Sequence, residues 1–234
     1  MRLVSLLTFL MLLPAASAQL PAKAPAQPVL VELFTSQSCS SCPPAEALFA
    51  KYAKRSDLVA LEWHVDYWDS LQVSGAGRWK DPYSSSAWTE RQRAYNRAIR
   101  GGDGIYTPQA VVGGNMEATG FDWGAIERMI GTAAKAPPKV TLAATRTTDI
   151  RFKATGAPKD AEALLVTFRL DAATDVKGGE NKGRKLNSAH IVTGARRLGA
   201  GPAFSVPLPA QGEGCALLIQ PKMPGPVLAA AYCP

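Results

Sequence analysis

Residues 29–46 read VLVELFTSQSCSSCPPAE, and the fold is decided there. Val29 to Phe34 is a short, almost unbroken apolar run, the pattern of a strand buried on both faces. Residues 45–54 hold helix formers, with Ala47, Leu48 and Tyr52 available for burial. Between strand and helix stands Cys39-Ser40-Ser41-Cys42. A thiol at a strand-to-helix turn feels the free N–H groups and positive dipole end of the helix, which favour thiolate. Two intervening residues let one sulfur attack and the other resolve a mixed disulfide. Pro43 and Pro44 are comfortable only in a helix's first turn, so the regular helix is expected to start near Cys42 rather than Cys39.

Zinc sites and structural clips share this spacing. Zinc needs four ligands, however, and the 234-residue chain has no second CxxC and two histidines. Cu(I) held between the two thiolates is a further alternative, since soft sulfur suits that ion. After residue 18 only Met116, Met129 and Met223 could assist it, and they are not clustered.

Outward from this stretch the chain alternates strand and helix. Residues 58–68 read as a second buried strand, 85–100 as a helix with Arg91, Arg93 and Arg97 on its polar side, 110–115 as a strand entering a turn, and 121–134 as a helix. Residues 136–139, Ala-Pro-Pro-Lys, look like a linker. Beyond it come short alternating runs at 140–145, 149–154, 163–170, 189–193, 203–208, 215–220 and 227–233, separated by turn residues. That texture predicts a small antiparallel β-sandwich or barrel. The expected organisation is an α/β domain over 29–136 followed by a β-rich domain over 139–234.

The N-terminus has the composition of an export signal. Arg2 precedes an apolar run at residues 3–13, and Ala16-Ser17-Ala18 has the small-x-small pattern of a cleavage site. The run is too short to span about 30 Å of hydrocarbon as a helix. Residues 1–18 are therefore read as a cleaved signal, an uncleaved anchor being the alternative, and 19–28 as an extended leader. Periplasmic or secreted localisation follows, where disulfides persist.

Cys215 and Cys233 flank a hairpin expected to turn at residues 222–225. Their midpoint is residue 224, so the two cysteines face each other across an antiparallel pair, within disulfide range. A structural disulfide is expected, with two buried free thiols as the alternative.

The net charge is +7, with 26 Lys and Arg against 19 Asp and Glu. Residues 176–200 carry Lys177, Lys182, Arg184, Lys185, Arg196 and Arg197 against Glu180, a balance of +5. Such a patch suits anionic lipid or an acidic partner, or is a solvated loop between strands. It lacks the interleaved aromatics of a nucleic-acid surface.

Tyr106-Thr107-Pro108-Gln109 leads into the strand near 110, and a proline there belongs at the strand's start. Together with the CxxC this resembles the thioredoxin superfamily, whose members carry a CxxC at a helix head facing a cis-proline. The resemblance implies that Cys39 attacks, Cys42 resolves, Pro108 is the cis-proline, and Thr107 holds an extended substrate by its main chain. More narrowly, VELFTSQSCSSCPPAE, WHVDYWD, DPYSS, TERQRAY, TPQAVVGG and GENKGRKLNSAHIV are similar to a family of secreted bacterial thioredoxin-like proteins of unknown function. The implied activity is thiol–disulfide exchange with envelope thiols or disulfides, needing no cofactor or metal. A structural envelope protein with a fixed CxxC disulfide is the rival.

Several expectations follow for the site. Glu32, in an otherwise apolar strand, either serves as general base for Cys42 or points outward or pairs with a Lys. The extra length at residues 69–104, with Arg78, Trp79, Tyr83, Trp88, Arg91, Arg93 and Tyr95, either forms a flap over the substrate or packs away to bury its aromatics. His64 and Asp66, two apart on one strand face, read as a hydrogen-bonded core pair, with tuning of the thiol as the alternative. The mechanism requires the Cys39 sulfur to be open to solvent and close to Pro108.

Overall fold

The structure, a computed structural model, describes residues 27–222 and 225–234. The expected signal and most of the leader lie outside the described residues, as do Met223 and Pro224 of the expected turn.

Strands β1 (Val29–Thr35) and β2 (Leu58–His64) are buried along their whole length and run parallel, Val29 opposite Leu58 and Thr35 opposite His64. Helix α1 (Pro43–Tyr52) connects them. After β2 the chain forms α2 (Ser86–Arg100), then β3 (Gln109–Val112), antiparallel to β1, then β4 (Met116–Thr119) and α3 (Trp123–Lys135). Because side chains alternate along a strand, β1 serves two cores. Val31 and Leu33 meet Ala45 and Phe49 of α1 and Ile126 and Ile130 of α3. Leu30 and Phe34 join Val59, Trp63 and the α2 residue Tyr95 on the opposite face.

The second half contributes β5 (Thr141–Arg146), β6 (Ile150–Thr155), β7 (Ala161–Asp175), β8 (Lys185–Gly199), β9 (Ala203–Val206), β10 (Glu213–Pro221) and β11 (Ala229–Tyr232). Strands β5, β6 and β9 form a small sheet. Its Leu142, Ile150, Phe152 and Val206 face Leu165 and Leu217 of the larger sheet. Two sheets thus pack face to face, but the larger one is not separate from the first half. It runs β11-β10-β7-β8-β2-β1-β3-β4, with β8 joining β2 in parallel at Ile191 and Glu62. The larger sheet therefore runs across the boundary read near residue 137, while the smaller one lies wholly beyond it.

Residues 163–170 and 189–193, read as short strands, are parts of a hairpin whose strands each have 15 residues. Nor is the basic stretch a free loop: most of it is β8. Polar residues on the exposed face of β8 interrupt the apolar pattern by which strands are recognised.

Cys215 and Cys233 form a disulfide, with Cα atoms 5.2 Å apart. Ala216 pairs with Tyr232 beside it, the register expected for a turn centred on residue 224. The bridge pins the last strand. Tyr232 in turn uses its hydroxyl to receive the Ala60 amide of β2 at 2.7 Å. Among the described residues no helix is long and apolar enough to cross a membrane.

Candidate functional site

Helix α1 starts at Pro43, with Cys42 as its N-cap and prolines in its first turn. Those positions have no intrahelical acceptor for an N–H, so two prolines cost the helix nothing there. The preceding residues make a tight turn in which the Cys42 amide donates to the Cys39 carbonyl at 3.2 Å. Both cysteines are free thiols.

The Cys39 sulfur lies 3.2 Å from the Ser41 hydroxyl and 3.9 Å from the Thr107 carbonyl. The Thr107–Pro108 peptide bond is cis. Thr107 is itself held by the Trp68 indole, which donates to its hydroxyl at 2.7 Å. Behind Pro108 stands Gly120, whose amide donates to the Pro108 carbonyl at 2.9 Å. A Cβ at position 120 would come within 2.9 Å of the Pro108 ring, so glycine is what permits this approach.

The two thiols are set apart in acidity. A hydrogen bond from the Cys42 thiol lowers Cys39 to about 6, against the opposing effect of burial, with Ser41 and Thr107 assisting. Burial pushes Cys42 far above the ordinary thiol range, and its bond to Cys39 and the charge there add to the rise. Cys39 is thus the thiolate and Cys42 the proton-bearing partner at neutral pH.

A buried polar cluster lies on the α1 side of the sheet. Thr35, which works against the rise of the Cys42 thiol, donates its hydroxyl to Glu46 at 2.7 Å. Burial pushes Glu46 up to about 8, the Glu62 charge also raising it, while the His64 charge and Thr35 oppose. Burial likewise raises Glu62, both of whose oxygens lack a hydrogen bond of ordinary length, with His64 Nε2 3.9 Å away. His64 Nδ1 meets Asp81 at 2.7 Å. Burial alone would lower the His64 pKa, but the Asp81 charge holds it well above its usual value. Burial works to raise Asp81, and the His64 charge overrides it to lower it. Asp81 also receives the Gln37 amide at 2.9 Å, tying the pair to the CxxC loop.

Several sequence expectations are corrected by these positions. Glu32 is not the acid beside Cys42. It shares the strand face of Leu30 and Phe34, where Arg91 Nε donates to it at 2.8 Å and the Tyr95 hydroxyl at 2.6 Å. Thr35, three positions on, has the opposite parity and faces α1. Arg91, read as polar surface, is buried over Trp63 and Tyr95. His64 pairs with Asp81 rather than Asp66, whose carboxylate instead receives the Thr89 hydroxyl at 2.6 Å.

The insertion divides. Trp88 and Tyr95 of α2 pack against Trp63 and Phe34 in the core. Trp79, before the helix, reaches the CxxC loop, with its indole donating to the Gln37 side chain at 3.1 Å and its carbonyl accepting from Ser38 at 3.2 Å. Tyr83 lies edge-on to His64.

The expectation of an open sulfur is also not met. Cys39 is 1% exposed and Cys42 is fully buried, while Ser40 and Ser41 between them are exposed. The loop joining β7 to β8 lies on the CxxC loop from the other side. Asn181, wholly buried, donates to the carbonyls of Gln37 at 3.0 Å and Cys39 at 2.8 Å. Glu180 accepts the Ser40 amide at 2.8 Å. Sequence reasoning gave Asn181, Glu180, Glu46 and Asp81 no role, although the first two lie in GENKGR and Glu46 in the opening stretch. Among the described residues no group of three or more His, Cys, Asp or Glu is arranged to hold a metal ion.

Comparison with known proteins places this geometry in a family. A crystal structure of an Agrobacterium tumefaciens protein superposes with a TM-score of 0.71 at 29% identity, over 88% of this chain and 93% of that one. HBP35 of Porphyromonas gingivalis superposes with a TM-score of 0.53 at 14% identity, over 88% of this chain and 74% of that one, a likeness of fold alone. No functionally curated protein matches the sequence. The model of a family described as a protein of unknown function, DUF1223, matches residues 30–220, and the chain belongs to that family.

Proposed function

We propose that the protein is an exported thiol–disulfide oxidoreductase with a thioredoxin-like core, acting on thiols or disulfides of the bacterial envelope. The observation that carries this reading is the division of labour between two free thiols at the head of α1. Cys39 is lowered to about 6 by the bond that Cys42 donates, while burial holds Cys42 protonated.

The chemistry runs in two exchanges. The Cys39 thiolate attacks one sulfur of a substrate disulfide. A Cys39–substrate bond forms, the substrate S–S bond breaks, and the other substrate sulfur leaves with the electron pair and takes a proton from water. Cys42 then gives its proton, through the Thr35 hydroxyl, to the Glu46 carboxylate and attacks Cys39 as thiolate. The Cys39–Cys42 disulfide forms, the Cys39–substrate bond breaks, and the second substrate sulfur leaves with the electron pair and takes a proton from water. The substrate gains two electrons and the CxxC loses two; the same steps in reverse oxidise a substrate dithiol. Glu46 suits proton acceptance because burial has raised it to about 8, closer to a working pH than an ordinary carboxylate. Thr107 contributes by position, its carbonyl beside the Cys39 sulfur.

Equilibration of the protein with glutathione buffers of graded potential tests the reading. A reversible two-electron transition that vanishes in Cys39→Ser supports it. A dithiol that stays in one state across the whole range contradicts it.

A further inference from the structure

The exchange chemistry needs a reachable Cys39, and the structure presents one that is closed off. We propose that residues 176–184 form a strap latched onto the CxxC loop by Asn181 and Glu180, and that reaction at Cys39 requires the strap to lift. The inference deepens the redox reading and rests on it for its purpose, but access to the sulfur is measurable without turnover.

The strap engages four consecutive residues of the CxxC loop. Asn181 donates to the Gln37 and Cys39 carbonyls, and its own oxygen accepts from Arg184 at 2.8 Å, so both ends of the amide are fixed. The Glu180 amide donates to the Ser38 carbonyl at 3.2 Å, and the Glu180 carboxylate accepts from the Ser40 amide. Gly179, at φ +69°, lies so close that a Cβ would come within 2.9 Å of the Ser38 hydroxyl.

Beyond the CxxC loop the strap rests on the facing loop, where a Cβ at Gly178 would collide with the Arg78 carbonyl. Its base closes on itself through reciprocal main-chain bonds between Val176 and either Gly183 or Arg184. β10 pairs with β7 only as far as Arg169, so the outer end of the hairpin has β7 and β8 as each other's strand partners. Gly183, exposed at φ +84° with open space about it, is the point in the loop where the backbone is free to turn. Lys177, Lys182 and Arg184 are exposed along it, with Lys182 reaching the Gly75 carbonyl of the facing loop at 3.3 Å. The latch groups on the CxxC side are main-chain carbonyls and amides, which water or an incoming chain can satisfy once the strap is lifted.

The test is the alkylation rate of Cys39 in full-length Cys42→Ser protein, followed with iodoacetamide and assigned by peptide mass spectrometry. With the native strap the rate is expected to be at least about tenfold below that of free glutathione at matched thiolate fraction. Asn181→Asp, which keeps the size but loses the donating amide, is expected to speed alkylation by about tenfold; Glu180→Ala gives a second loosened strap if the first fails to fold. Lys185→Ala, at the strap's edge and without a side-chain bond, is the control and stays at the native rate. Native alkylation as fast as the free thiol, or loosened straps within twofold of native, overturns the proposal. Gated alkylation without any capacity for disulfide exchange would leave the strap standing and remove the redox reading; exchange at unaltered rates in the loosened straps would do the reverse.

Discussion

The Thr35 hydroxyl donates to the Glu46 carboxylate at 2.7 Å, at the point where the end of β1 meets the first turn of α1 beneath Cys42. In the proposed exchange this pair supplies the Cys42 proton with a route that does not cross the sheet. Replacing Glu46 by Gln keeps an acceptor for Thr35 but removes the base. Resolution of a Cys39 mixed disulfide is expected to slow by about 100-fold, within the usual range for loss of a general base, while the first attack by Cys39 continues. Rapid-quench analysis of single turnovers separates the two steps.

The same substitution changes how stability depends on pH. Glu46 is raised to about 8 in the folded protein from an ordinary carboxylate value. Between those values the folded state binds more protons than the unfolded state, so stability falls as pH rises. The contribution is complete below the unfolded value and is lost through about 8. Glu46→Gln therefore flattens the decline in Tm between pH 5 and pH 8.5, as read by thermal unfolding across that range.

Cys39 reactivity has its own profile. With a thiol lowered to about 6, alkylation is expected to rise through that pH and level off above 7, because thiolate is the reacting form. Since the Cys42 thiol is the largest cause of the lowering, Cys42→Ala moves the midpoint back toward the ordinary thiol range near 8.5. The pH dependence of iodoacetamide modification measures both.

Glu32 and Arg91 are predicted to matter for stability and not for exchange. Arg91→Ala leaves a buried carboxylate without its cation and is expected to destabilise the fold by about 3–5 kcal/mol. Glu32→Gln lowers Tm while leaving the rate of mixed-disulfide release within twofold of native. Denaturant titration and single-turnover kinetics check the pair.

These assignments also mark how far the sequence could be read. The buried strands, the helix start at Pro43 and the pairing of Cys215 with Cys233 were legible because each rests on local pattern: an apolar run, proline in a first turn, two positions symmetric about a hairpin. Glu32 and Glu46 could not be told apart in the same way. Choosing between them needs the knowledge that α1 covers the face holding Val31, Leu33 and Thr35, which one strand's alternation does not contain. His64 found Asp81, 17 residues on, instead of its neighbour Asp66 because the intervening loop folds back over β2. Asn181 lies 142 residues from the carbonyl that it holds, and its role depends on β8 joining β2. The polar face of β8 and the composition shift near residue 137 both pointed instead to a second, separate sheet.

The most direct measurement is a trap. Cys42→Ser protein, expressed from its full sequence and isolated from cells quenched in acid, is predicted to carry other proteins joined through Cys39, of the envelope if the export reading holds, identified as mixed-disulfide peptides and absent in the Cys39→Ser, Cys42→Ser double variant. Recovery of a Cys39 thiol with no protein attached, in cells where other envelope thiol–disulfide pairs are trapped by the same procedure, would contradict the account.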